Sequence, residues 1–293
     1  MSGSKYYLPE PSHWPLIGSL GLFVTLFGFA HALPTKAGGE IGSLAMMYVG
    51  FAIIVFMLFG WFGTVIRESE SGKYNAQVDT SFRMGMLWMI FSEVMFFSAF
   101  FGALFYARQL SVPWLAGEGN NAMTNELLWK GFKETWPLLN APDASKYPAP
   151  HEVIPATGIP LLNTILLLSS SVTVTIAHHA LKKAQRGKLI MWLLLTVILG
   201  FTFLGFQISE YAHAYGELNL KLSSGIYGTT FFMLTGFHGL HVTIGAIILT
   251  VILLRCIKGH FTPDHHFGFE GAAWYWHFVD VVWVGLFIFV YWL

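Results

Sequence analysis

"IYGTTFFMLTGFHGLHVTIGAIILTVILL", residues 226–254, runs for 29 positions without an Asp, Glu, Lys or Arg. A helix that crosses a bilayer needs about 20 mostly apolar residues, because it rises 1.5 Å per residue through about 30 Å of hydrocarbon. At about 43 Å this stretch exceeds the requirement, so it is expected to tilt or to protrude. Six more such stretches lie at about 16–33, 44–66, 83–107, 159–180, 189–211 and 271–292. Backbone in lipid must satisfy its own hydrogen bonds, and none of these runs alternates as barrel strands do, so each is expected to be a helix. The expected fold class is an all-α membrane protein with seven transmembrane helices, in a single domain over 1–293.

Composition agrees with that class. Of the 293 residues 55% are hydrophobic and 17% aromatic, and only 11% are charged, against about 25% in an ordinary soluble domain. The 16 basic and 16 acidic side chains cancel, so nothing points to a nucleic-acid partner or an acidic substrate. Cys256 is the one cysteine, which excludes an intrachain disulfide and any site needing two or more thiolates. The first fifteen residues carry Lys5, Pro9, Pro11 and Pro15 and lack the apolar core and cleavage site of a signal peptide, so the first span is expected to stay as an anchor.

Basic residues set the expected orientation. Ten of the 16, among them Lys5, Arg67, Lys182, Arg186, Arg255 and Lys258, flank the spans on one side. Lys36, Arg108, Lys130, Lys133, Lys146 and Lys221 lie on the other, three of them inside a long connection where charge counts for less. The N-terminus is therefore expected on the cytoplasmic side and the C-terminus outside. The connection at about 109–158, rich in proline and holding Trp114, Trp129 and Trp136, then becomes an outer loop. It is read as a surface cap, with a docking surface for a partner's outer domain as the alternative.

Twelve histidines raise the question of heme or metal. His238 and His241 share one face of the sixth span, and His277 and Asp280 one face of the seventh. A bis-histidine heme stack would need ligands facing across helices and repeated about four turns apart, a pattern no span carries. These pairs are expected to be structural hydrogen bonds, and the chain to hold no redox metal. His178, His179, His265 and His266, at span ends, are expected to meet lipid phosphate or cap carbonyls. On the sixth span Thr235, Gly239 and Thr243 form a small-residue row suited to close helix approach, expected within the chain, with an oligomer interface as the alternative. Tyr291 and Trp292 are expected in the aromatic belt at the membrane surface.

Glu93, in "MIFSEVMFFSAFF" (89–101), is the costliest polar residue. It lies about 15 Å beyond Arg83, near the middle of the bilayer. Either it is protonated or a neighbouring helix supplies a donor. Glu210, Glu270 and Asp280 pose the same question less sharply.

Several stretches, in order along the chain, resemble subunit III of cytochrome c oxidase: "WPL" (14–16), "VIRES" (65–69), "FSEVMFF" (91–97), "PLLNT" (160–164), "TTFFMLTGFHGLHVTIGA" (229–246) and "HHFGFEGAAWYWHFVDVVW" (265–283). The last is long and unusual enough to be specific. The resemblance implies a two-plus-five helix bundle around a lipid cleft, attached to subunit I. It implies no heme or copper in this chain; those belong to subunits I and II, which take electrons from cytochrome c. Small accessory subunits and phospholipids are further implied partners. Stabilising subunit I, sustaining proton uptake and holding lipid are the implied tasks.

By the same resemblance, Glu93 matches a buried acid that faces subunit I. Arg67, Arg255 and Lys258 match basic positions near lipid phosphates, and Trp61 an aromatic lining the cleft. Many members have a second tryptophan where this chain has Phe62, which removes one indole donor from that lipid site. His238, His241, Glu270, His277 and Asp280 match positions of interhelical hydrogen bonding. The implied location is a bacterial cytoplasmic membrane, with the mitochondrial inner membrane as the alternative. Against a seven-helix photoreceptor, no lysine follows Lys258 to carry retinal.

Overall fold

The computed structural model describes residues 7, 10–34, 42–146 and 148–292; Lys5, Pro9 and Lys36, used above, lie outside the described residues. Among the described residues seven helices are long and apolar enough to cross a membrane. They are α1 (Trp14–Ala32), α2 (Ala45–Glu70), α3 (Ala76–Tyr106), α4 (Ile159–Lys182), α5 (Arg186–Gly216), α6 (Gly225–Lys258) and α7 (Phe267–Leu286). Wider, π-helical turns extend α3 over Ala107–Ser111 and α7 over Phe287–Trp292.

All seven expected spans are present, and most helices outrun their apolar stretch. An apolar run marks the hydrocarbon slab, whereas a helix continues into the headgroup layer wherever its caps allow. Thus α3 begins at Ala76, where the Asn75 side chain accepts from the Val78 N–H at 3.0 Å. Helix α6 ends where Gly259 takes φ 81°, and its N–H caps the Arg255 and Cys256 carbonyls. Threonines inside the spans are satisfied locally: those at 235, 243 and 250 each donate to the carbonyl four residues back, at 2.7–2.8 Å.

The chain forms two compact units, Met1–Phe82 and Arg83–Leu293. In the first, α1 packs on α2 through glycines. A Cβ on Gly21 would lie 2.9 Å from Ile54 Cγ1, and one on Gly28 only 2.5 Å from the Met47 nitrogen. Small residues let the two backbones approach closely, which is what holds helices together where lipid is as apolar as leucine. Trp14 Nε1 adds a 3.3 Å bond to Thr64 Oγ1.

In the second unit α7 is the central helix. Trp276, fully buried, is wedged between glycines of two neighbours: a Cβ on Gly200 of α5 or on Gly245 of α6 would come within 2.8 Å of its ring. Its Nε1 donates to Ser170 Oγ of α4 at 2.8 Å, so one side chain ties four helices. Trp283, two turns on, donates to Thr164 Oγ1 of α4 at 2.9 Å. Within this chain the small-residue row on α6 does not act as one: Thr235 meets the Tyr211 hydroxyl at 2.6 Å, whereas nothing of this chain lies within 4 Å of a Cβ on Gly239.

The connection after α3 folds back on this unit. Asn125 Nδ2 reaches the Leu115, Trp129 and Phe132 carbonyls at 3.1–3.2 Å. Leu138 and Ile154 are buried in the core, and Trp136 packs edge-on against Tyr227 at 5.7 Å. That is the behaviour of a cap on the helix ends.

Candidate functional site

The polar side chains of the second unit collect at three levels along α7. At the level of its first turn, Arg83 of α3 donates to Glu270 Oε2 through Nε at 3.1 Å and through Nη2 at 2.9 Å. His178 of α4 packs nearby, 5.3 Å from the His266 ring and 5.4 Å from Phe269. His266 Nδ1 lies 3.2 Å from the Thr262 carbonyl.

At the middle level stands Glu93. Its Oε2 is 2.9 Å from His241 Nε2 of α6, and His241 Nδ1 is 2.6 Å from the Phe237 carbonyl. The donor or acceptor opposite this acid thus comes from a neighbouring helix, 148 residues away in sequence. Phe97 and Phe278 pack against the imidazole at 5.0 and 6.5 Å. One turn earlier on α6, His238 is fully buried between Phe203 and Trp283, with Nε2 3.2 Å from the Val279 carbonyl of α7.

On the other side of α7, His277 Nδ1 is 2.6 Å from Ser171 Oγ and Nε2 is 3.3 Å from Thr175 Oγ1, both on α4. Asp280 Oδ2 lies 3.8 Å from the same Nδ1. A serine, a histidine and an aspartate meet here, yet serine and aspartate both approach one ring nitrogen. Activation of a serine nucleophile needs them on opposite nitrogens, so this cluster is not a hydrolytic triad.

The third level lies toward the end of α7. Glu210 of α5 is buried; its Oε1 accepts from Gln207 Nε2 at 3.1 Å and from the Tyr291 hydroxyl at 2.7 Å. Asn163 of α4 donates to Gln207 Oε1 at 3.4 Å. Tyr291, expected in the surface belt, instead turns inward because the π-helical end of α7 carries its hydroxyl to this acid. Trp292 is 62% exposed, as a belt residue would be. Asn163, Gln207 and Ser171 went unselected by sequence, since a lone amide or hydroxyl in an apolar run looks like tolerated polarity. The "SSSVTVT" stretch (169–175) was the available signal: Ser171 and Thr175 fall one turn apart on one face.

The remaining candidates lie in the C-terminal halves of α2 and α6. In the first unit Trp61 and Phe62 stack at 5.9 Å and both are exposed. Arg67 Nη2 donates to Thr64 Oγ1 at 3.1 Å. In the second unit the Arg255 guanidinium sits 4.3 Å over the Phe261 ring, and Lys258 is exposed. No group of three or more His, Cys, Asp or Glu gathers as a metal site among the described residues. His241 and His277 are engaged through both ring nitrogens by a carbonyl, hydroxyls and Glu93, whereas His238 is engaged through Nε2 and its buried Nδ1 has no hydrogen-bond partner.

The cytochrome c oxidase subunit III family model matches residues 4–118 and 143–293. Cytochrome c oxidase subunit 3 of Marchantia polymorpha is 42% identical over 98% of this chain and 96% of its own length. The same subunit of Squalus acanthias is 40% identical, and that of Tetraodon nigroviridis 38%, each over 98% of this chain and 96% of its own. Nearly the whole chain is covered, and the unmatched residues 119–142 fall in the connection after α3. The chain belongs to the cytochrome c oxidase subunit III family.

Proposed function

We propose that this chain is the non-redox subunit of a proton-pumping cytochrome c oxidase, one that stabilises the heme-bearing subunit I, sustains proton uptake and holds phospholipid. Family membership makes it a respiratory-chain subunit with other oxidase subunits as partners. The observation that supports the finer reading is that His238, His241, Glu270 and His277 are each hydrogen-bonded to a neighbouring helix. They serve to fix the bundle. Electron transfer from cytochrome c then belongs to hemes and copper in subunits I and II, with any accessory subunits outside it.

Glu93 is the proposed contact toward subunit I. Trp61, Phe62 and Arg67 in the first unit, and Arg255 and Lys258 in the second, are the proposed lipid contacts, each pairing an apolar or aromatic surface with a cation suited to a phosphate headgroup. The proposed setting is a bacterial cytoplasmic membrane with the N-terminus inside and the C-terminus periplasmic. The mitochondrial inner membrane is the second reading, favoured by relatives in a liverwort and in fishes. Depleting this chain from the purified complex and following turnover tests the proposal. Heme reduction by cytochrome c is expected to persist while activity decays sooner with successive turnovers; abolished heme reduction would overturn it.

A further inference from the structure

We propose that the segment 123–142 forms a docking site for an acidic, apolar-flanked stretch of another subunit of the oxidase, standing clear of the membrane on the side where α3 ends. The segment encloses a hollow of about 540 Å³, within the range of specific binding sites. Trp129 and Phe132 give it ring walls, Thr135 and Asn140 polar ones, and Lys130 and Lys133 its charge. Its shape is fixed by local bonds. Asn125 Nδ2 binds the Leu115, Trp129 and Phe132 carbonyls, and the Phe132 N–H closes a turn onto the Trp129 carbonyl at 3.0 Å. Gly131 allows that turn at φ 84°, where a side chain would be strained. The cap uses other residues, since Trp136 packs on Tyr227 and Leu138 lies in the core.

The two lysines are unanswered within the chain. Among the described residues neither makes an ion pair and no acid lines the hollow, whereas Lys146 is held by Asp143 at 3.2 Å. Glu134, the neighbour of Lys133, interacts with Glu118 instead. Two exposed cations beside a hollow without an acid are complementary to carboxylate or phosphate.

Height above the membrane decides between a lipid headgroup and a polypeptide. Helix α3 continues through its π-helical turns to Leu115, 40 residues as one span. From Arg83, whose pairing with Glu270 marks one edge of the hydrocarbon, Leu115 is about 48 Å away at 1.5 Å per residue. Hydrocarbon and one headgroup layer take about 36 Å, and a tilt of about 20° removes only about 3 Å of the difference. Asn125 is bonded to the Leu115 carbonyl, so the segment sits at that height, in water. There Met123, Leu127 and Leu128 are 62, 71 and 68% exposed, an apolar ridge that a protein partner would cover. The occupant is therefore a polypeptide, with apolar side chains on the ridge and Asp or Glu on the lysines. The family model passes over 119–142, so the site lies outside what that model matches. The inference rests on membership of the complex and on neither the lipid nor the proton-uptake reading.

The test treats the intact, purified complex with a water-soluble carbodiimide, which activates a carboxyl and joins it to an adjacent lysine as an amide, the displaced oxygen leaving with the reagent as a urea. Peptide mass spectrometry is expected to find Lys130 or Lys133 bonded to an Asp or Glu of another subunit. K130R/K133R keeps both charges and is expected to lose that bond while holding the partner at the same salt. K130E/K133E is expected to keep native heme content and to lower the salt concentration that releases the partner by about twofold or more. The absence of any bond to another subunit overturns the proposal, including bonds found only to acids of this chain or of a second copy. A release curve that K130E/K133E leaves unmoved overturns it too. So do lysines shielded from an acylating reagent in phospholipid vesicles but open to it in the detergent-purified complex, which mark a lipid occupant. Should the charge reversal prevent assembly, the cross-link and the salt curve of K130R/K133R still decide. Heme reduction and the decay of turnover, which test the proposed function, enter none of these readouts, so either proposal can fail alone.

Discussion

At the residue scale, the chain shows which polar groups a sequence reader can find and which partners stay hidden. Glu93 announces itself, because a carboxylate in a run of Met and Phe has no ordinary reason to be there. His241 also stands out, yet nothing in the sequence joins two residues 148 positions apart. The same holds for Trp276, whose role depends on glycines of α5 and α6 and a serine of α4. Glycine spacing alone does not say which glycine packs inside the chain, since Gly239 meets nothing of this chain and Gly245 meets Trp276. From this follows a paired prediction. Gly245→Ala pushes a methyl into the Trp276 ring and is expected to cost about 1–3 kcal/mol; Gly239→Ala is expected to cost nothing measurable in this chain's own stability. The midpoint temperature for loss of this chain from the purified complex checks both. Trp276→Phe is expected to lower the same midpoint by removing the Ser170 hydrogen bond, about 1 kcal/mol in a membrane interior, together with the packing of the second ring.

At the element scale, helix existence was legible and helix length was not. Apolar runs report where the chain meets hydrocarbon. Caps at Asn75 and Gly259 report where the helix stops, and they lie beyond the slab. Helix α3 reaches α6 and α7 through long side chains, Phe96 against Phe237 at 5.0 Å and Phe97 against Phe278 at 6.1 Å, with Arg83 bound to Glu270. The Arg83 side chain is 41% exposed, so Glu270→Gln is expected to cost only about 0.5–1 kcal/mol, an effect that shrinks as salt is raised. Melting the complex at low and high ionic strength separates this ion pair from a packing loss, which salt would not change.

The turn between α2 and α3 carries a pH dependence of defined sign. Tyr74 donates to Glu68 Oε2 at 2.9 Å, and burial, reinforced by that acid, raises its phenol above the usual value. The folded turn favours the neutral phenol. Its contribution is therefore complete below the unfolded value of about 10 and is lost as pH rises through the higher folded value. Spectrophotometric titration of tyrosinate is expected to count one fewer late-titrating tyrosine in Tyr74→Phe than in the parent chain. The substitution itself is expected to cost about 1 kcal/mol, the net worth of one hydrogen bond.

At the scale of the whole molecule, seven helices followed from composition and run length alone, because lipid leaves a chain so few ways to satisfy its backbone. The connection after α3 reads from sequence as a cap, with a docking surface kept as the alternative, and the reason both stay in play is physical. Trp136 and Leu138 look like any apolar residues in a loop until the helix ends they cover are known. The family match passes over residues 119–142 and resumes at 143, so the seven helices do not depend on that segment for their identity. Yet Leu138 lies in the core and Trp136 packs on Tyr227 at the start of α6. Replacing 119–142 with a flexible Gly/Ser linker is therefore expected to leave the heme content of the complex unchanged while lowering the midpoint at which this chain dissociates. The burial lost at Leu138 and Trp136 sets that loss at about 2–4 kcal/mol, one or two large side chains exposed to water. Heme-to-chain stoichiometry and thermal dissociation, measured on the same preparation, distinguish the cap from its alternative. A segment that only docks an outer partner would release that partner on deletion and leave the dissociation midpoint where it was.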